Sequence, residues 1–287
     1  MTQFKTPTDF RKSLEARLKS IAKDTNQDLQ RLRRKVAFER LLGRIFHEDA
    51  DSFILKGGYA MELRFASARA TKDIDLTCLH RTSEFSDLLS MESVIAQELR
   101  QLLRVNLDDY FTFEIGTARK DLENVPYGGA RYSVSSFVDS KLFVRFQLDV
   151  GADVIVDETE VINGSDWLAY CGITAPKMRM ISVEQQLAEK IHAYSLPREH
   201  GLNSRAKDLV DVLLLTQLRK IDLAKFNEVI EKVFRVRGTH PLPKLLQTPP
   251  SDWEILFKDL AMECGIHQEM SAAFESIEKF YTQAIDV

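Results

Sequence analysis

The chain has 287 residues, 44% of them apolar and 29% charged, enough for a sizeable core in one large or two modest globular domains and unlike a disordered chain. No stretch reaches the length and apolarity of a membrane span, and Met1 to Leu18 is too charged for a secretory leader. Three widely spaced cysteines (Cys78, Cys171, Cys264) without a zinc pattern fit a reducing cytoplasm, and a net charge of −4 leaves any nucleic-acid partner to a local basic patch.

Residues 9–24 read as a first helix, started by Thr8 or Asp9 and broken near Asp24-Thr25-Asn26. A second runs from about Gln27 to His47, with Leu29, Leu32, Val36, Leu41 and Ile45 supplying an apolar stripe. Arg31, Arg33, Arg34, Lys35, Arg40 and Arg44 make its other faces basic, which suits either a solvated surface or one that meets an RNA backbone. Asp49 and Asp51 follow in a polar stretch that reads as a plain loop.

The stretch from Phe53 to Thr77 organises the chain. It reads as a short apolar strand, a Lys56-Gly57-Gly58 turn, a helix from about Tyr59 to Phe65, and a second strand carrying Asp73-Ile74-Asp75-Leu76. Strand alternation sends Asp73 and Asp75 to one face and Ile74 and Leu76 to the other. Two such carboxylates repel; at about 5 Å and an effective dielectric near 20 the cost is roughly 3 kcal/mol. A divalent cation removes it, and hard oxygen donors suit Mg²⁺. Glycines at a helix start let N–H groups approach a phosphate where the helix dipole favours negative charge. A phosphate cradle followed by a carboxylate pair outlines a nucleotidyl-transfer site.

Residues 84–107 read as a crossover helix, with Leu88, Leu89, Val94, Leu99, Leu102 and Leu103 inward. Strands are expected at 110–117, 131–138 and 141–150, the last two joined by Asp139-Ser140 as an antiparallel hairpin. Pro126-Tyr127-Gly128-Gly129 marks a turn or loop. In the third strand Phe146, Leu148 and Val150 alternate with Arg145, Gln147 and Asp149, which places Asp149 among polar partners; Asp153 follows it closely.

The second half is helical. Ser182 and Gln185 have capping-box spacing for a helix through about Ser195, with Leu187, Ile191 and Tyr194 inward, Lys190 beside them, and His192 a packed residue on another face. A basic loop, 198–204, precedes a helix opened by Arg205-Ala206-Lys207-Asp208-Leu209-Val210-Asp211, whose core stripe is Leu209, Val212, Leu213 and Thr216. Asp222 caps a further helix that stops at Gly238, a segment with four prolines crosses from His240 to Pro250, and two last helices follow, the final one burying Met270, Phe274, Ile277 and Tyr281.

Leu55-Lys56-Gly57-Gly58-Tyr59-Ala60-Met61 and Arg69-Ala70-Thr71-Lys72-Asp73-Ile74-Asp75 resemble the signature of the AbiEii nucleotidyltransferase toxins, Leu-Lys-Gly-Gly-x-Ala-Leu followed by Arg-x-Ser/Thr-x-Asp-x-Asp. Glu184 to Lys190 and Arg205 to Asp211 are similar to that family's later helices. The wider DNA-polymerase-β-like superfamily has Gly-Ser where this chain has Gly57-Gly58, so Gly58 lacks a hydroxyl.

The resemblance, over roughly residues 40–220, implies an α/β (α+β) fold. A small mixed sheet of nucleotidyltransferase type with flanking helices would occupy 1–175, and a helical domain 176–287. It implies Asp73, Asp75 and a third carboxylate, Asp149 with Asp153 as its close competitor, as catalytic and Mg²⁺-binding, and Lys190 as catalytic. Lys56, Gly57, Gly58, Thr71, Lys190, Arg205, Lys207, Asp208 and Asp211 would bind the nucleotide. It further implies a cytoplasmic bacterial toxin of a type IV toxin–antitoxin or phage-defence pair, with NTP as substrate, an RNA acceptor, above all the tRNA 3′ end, and a cognate antitoxin for which the basic second helix is a possible surface. The same carboxylates would also serve a protein or small-molecule acceptor, and a non-catalytic nucleotide- or RNA-binding module is the other class. Asp73 and Lys190 lie off the apolar faces, so replacing either is expected to leave the chain folded.

Overall fold

The computed structural model describes residues 4–47, 52–79, 88–119, 128–152, 155–197, 205–218 and 221–285. Asp49, Asp51, Asp153, the 198–204 loop, Pro126-Tyr127 and the side chains of Leu88 and Leu89 lie outside this description. Two compact units form. One comprises Met1–Tyr59, Ala70–Asp153 and Glu160–Met180; the other comprises Ala60–Arg69, Val154–Thr159 and Ile181–Val287.

A mixed sheet of seven described strands carries the first unit. In chain order these are β1 (Phe53–Lys56), β2 (Asp73–Cys78), β3 (Phe111–Ile115), β4 (Gly129–Val138), β5 (Lys141–Ala152), β6 (Thr159–Asn163) and β7 (Lys177–Ile181). Their spatial order is β3-β4-β5-β2-β1-β7-β6, with β2 antiparallel to β1 and parallel to β5. The fold is thus α/β as expected, and β6 and β7 extend the sheet beyond the strands read from sequence. Alternation is obeyed where it matters: Ile74, Leu76, Leu148 and Val150 are fully buried, while Asp73 and Asp75 take the other face of β2. The β4–β5 hairpin closes on Asp139 and Ser140, both at positive φ (56° and 53°), as a two-residue turn that follows the strand twist demands.

Helix α1 (Pro7–Thr25) begins slightly before the expected start. Thr6 is its N-cap, accepting from the Asp9 N–H, and Pro7 fits a first turn whose N–H has no helical partner. Asp28 caps α2 (Leu29–Ile45) in the same way. The basic reading of α2 needs correction: Arg40 and Arg44 are buried, and both bond Asp109, with Arg44 held two-pronged at 2.7 and 2.9 Å. A guanidinium enters a core only with a fixed counter-charge, and the loop before β3 supplies it. Helix α3 (Gly57–Arg64) starts in the first unit and ends in the second. In α4 (Leu88–Leu102), Leu99 is buried as expected, and so is Leu103 just past its end; Ile95 and Ala96 are buried with them, whereas Val94, expected inward, is 41% exposed.

The second unit packs α5 (Val183–Ser195), α6 (Ala206–Thr216), α7 (Leu223–Arg237), α8 (Glu254–Glu263) and α9 (Met270–Ile285) around one apolar core. Ser182 caps α5, Asp222 caps α7, and Gly238 ends α7 at φ 58°. The proline-rich crossing is pinned from both sides, because Tyr194 and Tyr281 donate their hydroxyls to the carbonyls of Gln247 and Pro243. His192 is a packed helix residue, set against Phe234 and bonded to Thr239.

Candidate active site

Sheet register brings the three expected carboxylates to one face. Asp75 on β2 sits directly beside Asp149 on β5, and Asp73 pairs with Gln147 two positions along. Adjacent strands lie about 4.8 Å apart, so Asp75 and Asp149 are nearest neighbours across the ladder. Across β5 on its other side, β4 sets Arg131 opposite Asp149. The guanidinium donates to both Asp149 oxygens at 2.7 Å, and the field of Asp73 and Asp75 adds to its hold on its protons.

The glycine pair answers first to this carboxylate face. Gly57 has φ +69°, and a Cβ there would fall 2.0 Å from Oδ2 of Asp75. The Gly58 N–H, at the start of α3, points at the same oxygen from 3.4 Å. A Cβ on Gly58 would lie 2.8 Å from the Thr71 hydroxyl. Thr71 therefore occupies the room that a serine side chain at 58 would need. Lys56, the last residue of β1, is in register with Asp75.

Hard oxygens on neighbouring strands of one face are the donors Mg²⁺ takes. Among the described residues, no three His, Cys, Asp or Glu side chains converge closely enough to hold a metal as they stand. Arg131 engages both oxygens of Asp149. The carboxylates fit the ion in kind and in register.

The remaining expected residues meet in the second unit. The Lys190 ammonium lies 3.1 Å from Asp208 and 2.7 Å from Asp211, Arg205 bonds Asp208 at 2.9 Å, and Arg69 holds Asp211 two-pronged at 2.8 and 3.0 Å. Asp208 and Asp211 are 2% and 0% exposed. Burial pushes the Asp208 carboxyl up, but Lys190 and Arg205 outweigh it and hold it below the usual range. Burial opposes charge on Lys190 too, and the two aspartates reverse that. Lys207 differs: burial, with Arg69, Lys190 and Arg205 adding to it, brings its ammonium below the ordinary lysine value despite Asp208. Among the described residues, Lys190, Arg205, Arg69 and Lys207 set four cations against the Asp208 and Asp211 carboxylates, a local excess of positive charge that favours anions. The Lys190 ammonium is thus buried between two buried carboxylates, so its removal, expected from the sequence to leave the chain folded, should carry a cost in stability.

Sequence reasoning gave Arg131 no role and quoted Arg69 only as part of a motif. Arg131 falls on the polar side of its strand, but counting back from the Asp139-Ser140 turn would set Ala130 opposite Asp149. A bulge between Ser136 and Phe137 shifts the register by one and brings Arg131 there.

The chain is similar in fold to MenT4, a nucleotidyltransferase toxin from Mycobacterium tuberculosis, at a TM-score of 0.52 and 16% identity over 88% of this chain and 89% of that one. A candidate nucleotidyltransferase from H. pylori gives a TM-score of 0.47 and 14% identity over 88% of this chain and 95% of that one. No curated relative matches in sequence. The family model described as nucleotidyl transferase AbiEii toxin, type IV toxin–antitoxin system, matches residues 40–277, reaching further toward the C-terminus than the motifs themselves. The chain is a nucleotidyltransferase and belongs to the AbiEii toxin family of type IV toxin–antitoxin systems.

Proposed function

We propose that this chain is a cytoplasmic bacterial toxin that moves a nucleoside monophosphate from an NTP to an RNA acceptor and so blocks translation. The tRNA 3′ end is its leading acceptor class, and its setting is a toxin–antitoxin or phage-defence pair. The observation that carries the transferase part of this reading is the register that places Asp75 beside Asp149 with Asp73 on the same face. Family membership supports the toxin part, with NTP as substrate and an antitoxin as partner. Residues 1–175 would form the nucleotidyltransferase domain and 176–287 the helical one.

Asp73 and Asp75 would hold Mg²⁺, which when bound would draw charge from the triphosphate and acidify the acceptor hydroxyl. Asp149 would take the proton of that hydroxyl or complete the ligand set. The acceptor oxygen forms a bond to the α-phosphorus, the bond to the β-phosphate oxygen breaks, and pyrophosphate leaves with the electron pair. Lys56, Gly57, Gly58 and Thr71 would line the phosphate path. Lys190, Arg205 and Lys207 would offset phosphate charge, with Asp208 and Asp211 fixing their positions.

The test is incubation of the full chain with total tRNA, Mg²⁺ and each labelled NTP, with Asp75→Ala as control. Label on tRNA from the wild type alone is the expected result. Label on a protein or small molecule would replace the acceptor, and no label from a folded protein would favour a binding module.

A further inference from the structure

The bridge between Arg131 and Asp149 has a feature that a purely structural ion pair does not need. The Asp149 side chain is 11% exposed, but that of Arg131 is 38% exposed, so the guanidinium can swing away without opening the core. Its backbone stays fixed by pairing in β4 whichever way the side chain points. The same sheet face carries Asp75, in register with Asp149 on the far side from Arg131, and Asp73 two positions along.

We infer that Arg131 is a positioning residue that holds Asp149 away from the divalent ion, so that ion entry requires the bridge to open. This rests on the proposed metal-dependent transfer. The physical reason is competition. A two-pronged arginine uses an in-plane lone pair on each carboxylate oxygen. Mg²⁺ demands near-octahedral oxygens at about 2.1 Å and draws on the same negative potential. Guanidinium and ion are therefore alternative counter-charges for one carboxylate face. Once released, Arg131 remains tethered beside the site, where the phosphates of an incoming nucleotide offer it new acceptors.

The experiment is a Mn²⁺ titration of the full chain, read by the free-ion electron spin resonance signal and by thermal unfolding with and without the ion. Wild type, Arg131→Gln and Arg131→Lys are compared, with Asp75→Asn to locate the site. Arg131→Gln is expected to bind Mn²⁺ at least about tenfold more tightly, since one competing charge is gone. It should also unfold at lower temperature without the ion and recover more when the ion is added. Arg131→Lys, which keeps the charge and loses the fork, should fall between. Equal or weaker Mn²⁺ affinity in folded Arg131→Gln would overturn the inference, and would make the bridge a strut or a support for Asp149 as ligand. Should Arg131→Gln not fold, unchanged affinity in Arg131→Lys has the same meaning. Absence of Mn²⁺ binding in both folded wild type and Arg131→Gln would instead overturn the metal-dependent reading beneath it.

Discussion

Gly57 and Asp75 are fitted to each other: the carboxylate lies where a side chain at 57 would begin, 2.0 Å from an ideal Cβ. Gly57 also sits at φ +69°, which costs any other residue about 1–2 kcal/mol. Gly57→Ala should therefore lose at least about 2 kcal/mol and displace Asp75. A shift of that kind lowers transfer by about a hundredfold or more. Gly58→Ala, at ordinary φ and meeting the Thr71 side chain at 2.8 Å (hydroxyl) and 3.1 Å (Cβ), should lose less of both. Urea unfolding beside the labelled-NTP assay separates the two variants.

Lys190→Met should lower stability as well as transfer. Removing one partner of a buried pair costs about 3–5 kcal/mol. Arg69 and Arg205 still serve Asp211 and Asp208, so the loss here should be about 2–4 kcal/mol. Equal urea midpoints for variant and wild type would show that the ammonium serves the nucleotide alone.

Glu39 predicts a pH dependence in the neutral range. Burial pushes its carboxyl from 4.5 to about 7, against bonds from the Ser165 N–H and the Trp167 indole. A carboxyl with a raised folded pKa binds more protons folded than unfolded between those values. Stability should therefore fall as pH rises from 4.5 to about 7, by up to about 3 kcal/mol, and stay lowered above. Glu39→Gln keeps an acceptor for both donors and cannot ionise. It should match the wild type near pH 4.5 and exceed it at pH 8, as measured by denaturant midpoints.

Asp109→Asn tests the buried arginine pair of α2. Burial pushes the Asp109 carboxyl up, but bonding and charge from Arg44, then Arg40, hold it below 3.8. Its contribution is therefore present above pH 3.8 and is lost as pH falls below that value. The asparagine variant leaves two buried guanidinium groups short of a counter-charge and should cost about 3–5 kcal/mol at neutral pH. Acid unfolding should be correspondingly less steep. A neutral-pH loss below about 1 kcal/mol would mean that water or other acceptors satisfy both arginines.

The parts of the fold that could be read from the chain are those set within a few residues of each other. Alternation in Asp73-Ile74-Asp75-Leu76 separates acids from core because successive strand side chains must take opposite faces. Ser182, Asp222 and Gly238 announce helix ends because each meets a backbone group three or four residues away. Asp149 was legible for the same reason, as the polar partner of Leu148 and Val150. In α4 the choice between Val94 and Ile95 was not, because the two are equally apolar and only the packing decided it.

By itself, then, the sequence determined the strand carrying the two acids, the turn of glycines, the helices from Ser182 onward and the family to which these belong. Tertiary structure decided which charges face each other. Arg40 and Arg44 meet Asp109 from more than sixty positions away, Lys190 meets Asp208 and Asp211, and Arg131 reaches Asp149 only because one bulge moves the hairpin register by a residue. The physical reason is that local rules specify a face, whereas an ion pair needs two faces brought to within about 3 Å. That distance is set by register and packing, to which every residue of both strands or helices contributes.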